Sequence, residues 1–364
     1  MITTLARALG LGAQRPFRLF QVEPTMRCNL RCVMCPWPAQ HQTTADLSWD
    51  TFQKLMPYLS LAHDLDLTGG GEPLLHPRLT DMVRAGKSAG CTVGFSTNAT
   101  LLTPEIAREL VTCGLDWIAY SLDGATPTTY ESIRRGAHFD AVVENIRQMQ
   151  AARSAQGRGH GRSQPLTFLF FVMMRQNLHE LPAVVALAHE LGIDQVVAKN
   201  LDVVLKEGDE NQLIFGGEGY QPPAEVEDAI GRARAEARRL DTKLRVYELQ
   251  RQEAVICEQD PLNTAFVNWE GCVSPCITLA YAQRQWWDGR WYPVERQRWG
   301  NVATDPLPDI LQRPAARQFL AHYEARRYAW FTSAAAASAE LPGGRSAFPP
   351  APEACQRCGY LYGI

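Results

Sequence analysis

Three cysteines are crowded into Cys28-Asn29-Leu30-Arg31-Cys32-Val33-Met34-Cys35, a Cys-x3-Cys-x2-Cys run. Three thiolates can ligate three irons of a four-iron, four-sulfur cubane. The fourth iron then lacks a protein ligand and is open to chelate and reduce a small molecule. A structural zinc site, or unpaired cysteines in a loop, is also compatible with three thiols taken alone. Farther along, Cys257, Cys276 and the Cys-x2-Cys pair Cys355 and Cys358 make a set of four. Four thiolates can close a site completely, around zinc or around an iron–sulfur cluster. A third group, Thr68-Gly69-Gly70-Gly71-Glu72-Pro73, combines glycines that let backbone approach a ligand with an acid that can meet a cationic group.

The elements that position these groups alternate in type. Short β-rich runs fall at Phe17–Glu23, Asp64–Thr68, Cys91–Thr97, Asp116–Leu122, Leu166–Met174 and Asp194–Asn200. Amphipathic helical patterns fall between and after them, at Trp49–Tyr58, Pro77–Ala89, Pro104–Cys113, Ala141–Arg153 and Leu178–Leu191, some introduced by capping residues such as Ser48 and Thr103. Six strand-then-helix units imply a parallel α/β sheet with right-handed crossovers, and that strand count suits a barrel left open on one side. Ligands of such sheets bind beyond the C-terminal ends of the strands, and Cys28–Cys35 directly follows the first strand. Leu205–Pro223 emerges on the same face, as a substrate lid or a simple connection to the helix Ala224–Leu240. Arg153–Pro165 reads as a solvated loop, and Phe331–Ala354 as a mobile insertion rich in Ala, Ser and Pro.

Bulk properties narrow the function classes. A chain of 364 residues with 46% hydrophobic content can hold a large domain plus a smaller one. With 36 Lys+Arg against 39 Asp+Glu there is no basic field that would argue for nucleic acid. No secretory n-region and no membrane-length apolar stretch is present, so a cytoplasmic protein without membrane association is expected. Ten cysteines in a reducing compartment point to metal ligands rather than disulfides, above all because several sit in tight clusters.

The cysteine run, Gly70-Gly71-Glu72-Pro73, Ser96-Thr97-Asn98 and the block Ser121-Leu122-Asp123-Gly124 followed by Ile133-Arg134 resemble, in order, the motifs of radical S-adenosylmethionine (SAM) enzymes. The resemblance covers roughly residues 17–200. It implies a partial (β/α)6 barrel, an open TIM-like barrel, with a 4Fe-4S cluster on Cys28, Cys32 and Cys35 whose open iron takes the amino and carboxylate groups of SAM. It further implies SAM contacts from Gly70, Gly71, Glu72, Pro73, Ser96, Asn98, Ser121, Asp123 and Arg134, with Met174 and Asn177 as candidates near adenine. Cys257, Gly271 and Cys276 resemble the opening hairpin of the SPASM/twitch extensions, small C-terminal α+β domains that hold auxiliary clusters. With only Cys355 and Cys358 following, one auxiliary 4Fe-4S cluster on Cys257, Cys276, Cys355 and Cys358 is expected, closer to the twitch form. Cys272 is an extra thiol that could substitute as a ligand, while Cys91 and Cys113 read as core residues.

The expected division is an N-terminal extension at 1–16, a barrel core at 17–222, a connecting helix and strand at 223–250, and an auxiliary-cluster domain at 251–364. Gln285-Trp286-Trp287-Asp288-Gly289-Arg290-Trp291-Tyr292 reads as a hairpin turning at Asp288-Gly289, or as an aromatic platform for substrate. His63, His76, His138 and His189 lack ligand spacing. The implied reaction is reductive cleavage of SAM to a 5'-deoxyadenosyl radical, hydrogen abstraction from substrate, and net oxidation with an auxiliary cluster accepting an electron. Asp202 and Lys199 are candidate bases. A reductant such as flavodoxin or ferredoxin would supply the first electron. Some sixteen residues before the first strand are too few for a leader-peptide module, which tilts the expectation to a small-molecule substrate over a peptide. Nothing resembles a cobalamin domain. The alternatives are a maturase of a ribosomal peptide, protein or cofactor, and a non-catalytic iron–sulfur scaffold or electron-transfer protein.

Overall fold

The computed structural model describes residues 15–36, 46–156, 158–159, 162–163, 165–217, 219–336 and 348–364. Its strands are β1 (Phe17–Val22), β2 (Ala62–Asp66), β3 (Thr92–Thr97), β4 (Trp117–Ser121), β5 (Arg158–Gly159), β6 (Arg162–Ser163), β7 (Leu166–Met173), β8 (Gln195–Asn200), β9 (Lys243–Val246), β10 (Thr264–Val267), β11 (Cys272–Ser274), β12 (Gln283–Trp287), β13 (Arg290–Val294) and β14 (Gly300–Asn301). Helices are α1 (Trp49–Leu59), α2 (Leu79–Ser88), α3 (Pro104–Thr112), α4 (Pro127–Ile133), α5 (Phe139–Ala155), α6 (Leu181–Glu190), α7 (Ala224–Arg239), α8 (Leu307–Leu311) and α9 (Pro314–Ala336). No helix among the described residues is long and apolar enough to cross a membrane.

One sheet runs in the order β14-β11-β10-β1-β2-β3-β4-β7-β8-β9. The six expected strands are its centre and are parallel. Side-chain alternation divides their two faces. In β7, Leu169, Phe171 and Met173 are buried in the core with Val184, Val185 and Ala188 of α6. Phe168 and Phe170 instead line the concave side with Trp117, Val197 and Lys199. Local chemistry fixes the helix starts: the Ser48 hydroxyl accepts from Thr51 N at 3.1 Å, and Thr103 and Thr126 cap α3 and α4 ahead of Pro104 and Pro127. Each such cap is worth about 1 kcal/mol, and proline at the first helical position costs nothing because its missing N–H has no partner there.

Two expectations on organisation change. The segment at 223–250 is not merely a connection, because β9 pairs in parallel with β8 as a further barrel strand. On the opposite edge β10 pairs in parallel with β1, Leu19 against Thr264 through Val22 against Val267, so the C-terminal part continues the barrel sheet. The region at 331–354 begins as the last turns of α9, and its residues 337–347 lie outside the described residues, as do most of the N-terminal extension and part of the loop at 153–165. The aromatic hairpin forms as read. Asp288 and Gly289 both take positive φ, 45° and 79°, which gives a two-residue turn whose twist matches paired strands.

Candidate active site

The cysteine run follows β1 and is tied down on both sides. Arg31 N donates to Arg135 O and Val33 N to Ile133 O, each at 2.9 Å, which hangs the run on the end of α4. Arg27 forks onto Asp46 with two bonds of 2.8 Å and also reaches Leu75 O. The glycine segment packs directly beneath. A Cβ on Gly71 would lie 2.4 Å from Thr25 O and 2.5 Å from Arg27 O, and one on Gly69 would lie 2.1 Å from Glu23 Cγ. These glycines therefore serve close backbone approach to the cysteine loop.

Cys28, Cys32, Cys35, Gly70, Gly71, Glu72, Ser96, Asn98, Ser121, Arg134, Lys199 and Asp202 line one cavity of about 310 Å3 at the C-terminal ends of the strands. Glu72 is buried, and its carboxylate accepts from the Thr97 hydroxyl (2.7 Å), Asn98 N (2.7 Å) and Leu74 N (3.1 Å). Burial pushes its pKa up while these donors oppose the shift. Asp123 and Pro73 are buried and do not line the cavity. Both Asp123 oxygens are taken: Oδ2 accepts from Arg134 Nε at 2.6 Å and Oδ1 from Val172 N at 2.7 Å. Asp123 thus holds Arg134, whose Nη1 points at Cys32 Sγ, 3.9 Å away. Met174 and Asn177 also leave the cavity. Asn177 accepts from Met174 N and donates to Asp123 O and Val172 O, fastening the loop.

Three groups escaped the sequence reading. Glu180 gathers Ala125 N (2.6 Å) and the Thr126 and Thr129 hydroxyls (2.7 and 2.6 Å), shaping the turn before Arg134. Burial works against its charge, but these donors hold its carboxyl below the usual range. Glu23 accepts from Gly70 N at 2.7 Å, from Trp269 N and from the Tyr281 hydroxyl, so it bridges the glycine segment to the C-terminal part. Burial raises it to about 7, as it does Asp66. Tyr360, from the C-terminal segment, lines the cavity together with the half-buried Asp202; desolvation raises the Asp202 carboxyl and the Tyr360 hydroxyl opposes the shift. A lone acidic or tyrosine residue carries no local signal of such a partner.

Cys257, Cys276, Cys355 and Cys358 come together from the segment before β10, the turn after β11 and the C-terminal segment, each feeling the charge of others in the set. Cys272 stands apart, buried on β11 beside Glu270, Arg296 and Asn301. Tyr323 packs in the same buried cluster as Cys257 and Cys355, and its hydroxyl has no well-formed hydrogen bond. Arg326, one helical turn on, donates to Val255 O, Ala254 O, Pro349 O and Glu253 Oε1, pinning both arms that carry these cysteines.

Both sets fit the clusters expected of them. The donors are all sulfur, one set lies open to a cavity and the other is enclosed beneath an orphaned hydroxyl. Burial raises Cys28 to about 11 and pushes Cys276, Cys355 and Cys358 higher, so iron is what would hold them as thiolates. Among the described residues, no three or more His, Cys, Asp or Glu can hold a single metal ion. A cubane asks for a wider set, because each thiolate binds its own iron.

Comparison with known proteins agrees. The radical SAM superfamily model matches residues 22–188, and a SPASM model described as an iron–sulfur cluster-binding domain matches residues 257–359. The tungsten-containing aldehyde ferredoxin oxidoreductase cofactor-modifying protein of Pyrococcus furiosus is 30% identical over 314 residues, 85% of this chain and 82% of that one. PqqA peptide cyclase of Ruegeria pomeroyi is 35% identical over 172 residues, 47% of this chain but only 43% of the cyclase. Among solved structures, Streptococcus suis SuiB bound to S-adenosylmethionine superposes with a TM-score of 0.59 at 13% identity, over 88% of this chain and 77% of SuiB. Native anSMEcpe with bound AdoMet gives 0.59 at 13%, over 83% of this chain and 82% of that one. An open parallel barrel with three cysteines at its mouth, a four-cysteine set in a sheet extension, and these matches together establish that the chain belongs to the radical SAM superfamily, with a C-terminal SPASM iron–sulfur domain.

Proposed function

We propose that this enzyme abstracts hydrogen from a small-molecule substrate or small cofactor precursor and oxidises it. In this reading Cys28, Cys32 and Cys35 hold the SAM cluster, and Cys257, Cys276, Cys355 and Cys358 hold a single auxiliary cluster. When bound, these clusters and SAM supply a 5'-deoxyadenosyl radical and an acceptor for one electron. The chain's residues provide the rest. Gly70, Gly71, Ser96, Asn98, Ser121 and Arg134 shape the SAM side of the cavity, and Glu72 is fixed there by Thr97 and Asn98. Asp202 receives the substrate proton lost on oxidation, positioned by Tyr360. Lys199 lies across Phe170, 4.6 Å from the ring centroid, and offers a cation to an anionic substrate group.

The observation that carries this reading is that Asp202 and Tyr360 line the same cavity as Cys28, Cys32 and Cys35. Tyr360 stands two residues from Cys358, so the same short segment carries an auxiliary-cluster thiol and a wall of the substrate cavity. A base and an electron acceptor are then neighbours, as net oxidation requires. A scaffold or pure electron-transfer role would need neither a cavity nor a base.

The second reading is maturation of a protein, peptide or larger cofactor. It is favoured by the cofactor-modifying relative that aligns over most of both chains. Fractionated cell extract separates the two. The first reading expects the low-molecular-weight fraction to stimulate 5'-deoxyadenosine formation by the reconstituted enzyme, with stimulation lost in Asp202→Asn. Stimulation by the macromolecular fraction alone would move the assignment to maturation of a protein or peptide.

A further inference from the structure

Helix α9 presents Phe319, Tyr323 and Arg326 from successive turns toward the four-cysteine set. Tyr323 is 0% exposed, and its ring sits 5.9 Å from Phe319, which itself meets Trp299 edge-on at 5.8 Å. Its buried hydroxyl has no well-formed hydrogen bond, and the side chain packs in the same cluster as Cys257 and Cys355. A buried hydroxyl left unpaired forfeits its bonds to water without replacement, so its placement requires an acceptor. Neutral thiols are weak acceptors. Thiolates bound to iron carry the negative charge that makes an O–H···S bond worthwhile.

We propose that Tyr323 is a positioning residue of the auxiliary cluster, donating a hydrogen bond to its cysteine sulfurs and raising its reduction potential. The inference rests on the ligand set proposed above. One-electron reduction adds negative charge to the cluster, part of it on the sulfurs, so a fixed donor stabilises the reduced state more than the oxidised state. Arg326 keeps that donor in place. Its four bonds run to both chain arms, so the helix cannot move away from either cysteine independently.

The test uses the full-length chain carrying Cys28→Ala/Cys32→Ala/Cys35→Ala, so that signals arise from the auxiliary site alone. Tyr323→Phe keeps the ring and removes the hydroxyl, and Phe319→Leu controls for packing. Iron and sulfide content, the midpoint potential by EPR-monitored titration, and exchangeable-deuteron ENDOR are measured. Expected is unchanged iron and sulfide in Tyr323→Phe, a reduction equilibrium about tenfold less favourable (about 59 mV lower for one electron), loss of the exchangeable coupling, and no such change in Phe319→Leu. An unchanged potential and coupling in Tyr323→Phe would overturn the proposal, as would failure of that variant to assemble the cluster. A background protein that binds zinc and no iron–sulfur cluster would instead refute the underlying ligand reading, and the proposal with it.

Discussion

Removing the Asp123 carboxylate should cripple both folding and SAM binding, because one side chain satisfies two buried groups. Asp123 is 0% exposed and Arg134 is 8% exposed. In Asp123→Ala the guanidinium loses its counter-charge, at about 3–5 kcal/mol for a broken buried pair. Val172 N loses its acceptor, at about 1–3 kcal/mol more. Their sum is a large part of a typical stability of roughly 5–15 kcal/mol. Asp123→Asn keeps an oxygen for Val172 N but sets an NH2 against Arg134 Nε, so it should lose the ion pair and its hydrogen bond while sparing the Val172 contribution. The double variant Asp123→Ala/Arg134→Met removes both charges and should regain at least about 2 kcal/mol of the loss, since apolar replacement of a buried pair is close to neutral. Urea unfolding of the apo-protein measures the cycle, and equilibrium dialysis of reconstituted protein measures SAM. The double variant should fold yet bind SAM poorly, because Arg134 lines the cavity. Additive losses in the cycle, or wild-type SAM affinity in the double variant, would refute the role assigned to this pair.

Further outcomes follow from the same geometry. Glu23 and Asp66 each rise to about 7 in the folded state, from 4.5 and 3.8, so the unfolded chain releases these protons first as pH increases. Their contribution to stability is therefore greatest below about pH 4, declines across the window up to about 7, and is flat above; each contributes a slope of about 1.4 kcal/mol per pH unit within its own window. Urea midpoints against pH should show this decline, with roughly half the slope lost in Asp66→Asn. Gly71→Ala drives a Cβ into the Thr25 and Arg27 carbonyls and should abolish reconstitution of the barrel cluster while auxiliary-site iron persists, read by iron content and EPR. Arg326→Met should remove the donor from the Val255, Ala254 and Pro349 carbonyls and expose the 349–358 arm to limited proteolysis at a rate the wild type does not show.

The barrel was legible because each of its six strands is a short β-rich run followed by a helix with its own pattern, and caps such as Ser48 and Thr103 mark their boundaries locally. The cysteine sets were legible because iron ligation needs one residue type at close spacing. The continuation of the sheet into the C-terminal part was not, since the pairing of Leu19 with Thr264 joins residues 245 positions apart and neither run announces its partner. Asp123 was placed near the ligand by motif position, but a motif does not say whether a carboxylate faces the ligand or the residue that lines its cavity. Glu23, Glu180 and Tyr360 were missed for the converse reason. Their roles come from burial against donors far away in the chain.

In the proposed function, Cys28, Cys32 and Cys35 support radical cleavage of SAM. The most direct test is 5'-deoxyadenosine release by anaerobically reconstituted, reduced protein, set against the Cys28→Ala/Cys32→Ala/Cys35→Ala variant, with both supplied with fractionated extract. Release by the wild type and none by the variant is expected, and the variant should still retain its auxiliary-site iron. Release by the variant, or none from a wild type with full cluster content and bound SAM, would contradict that function.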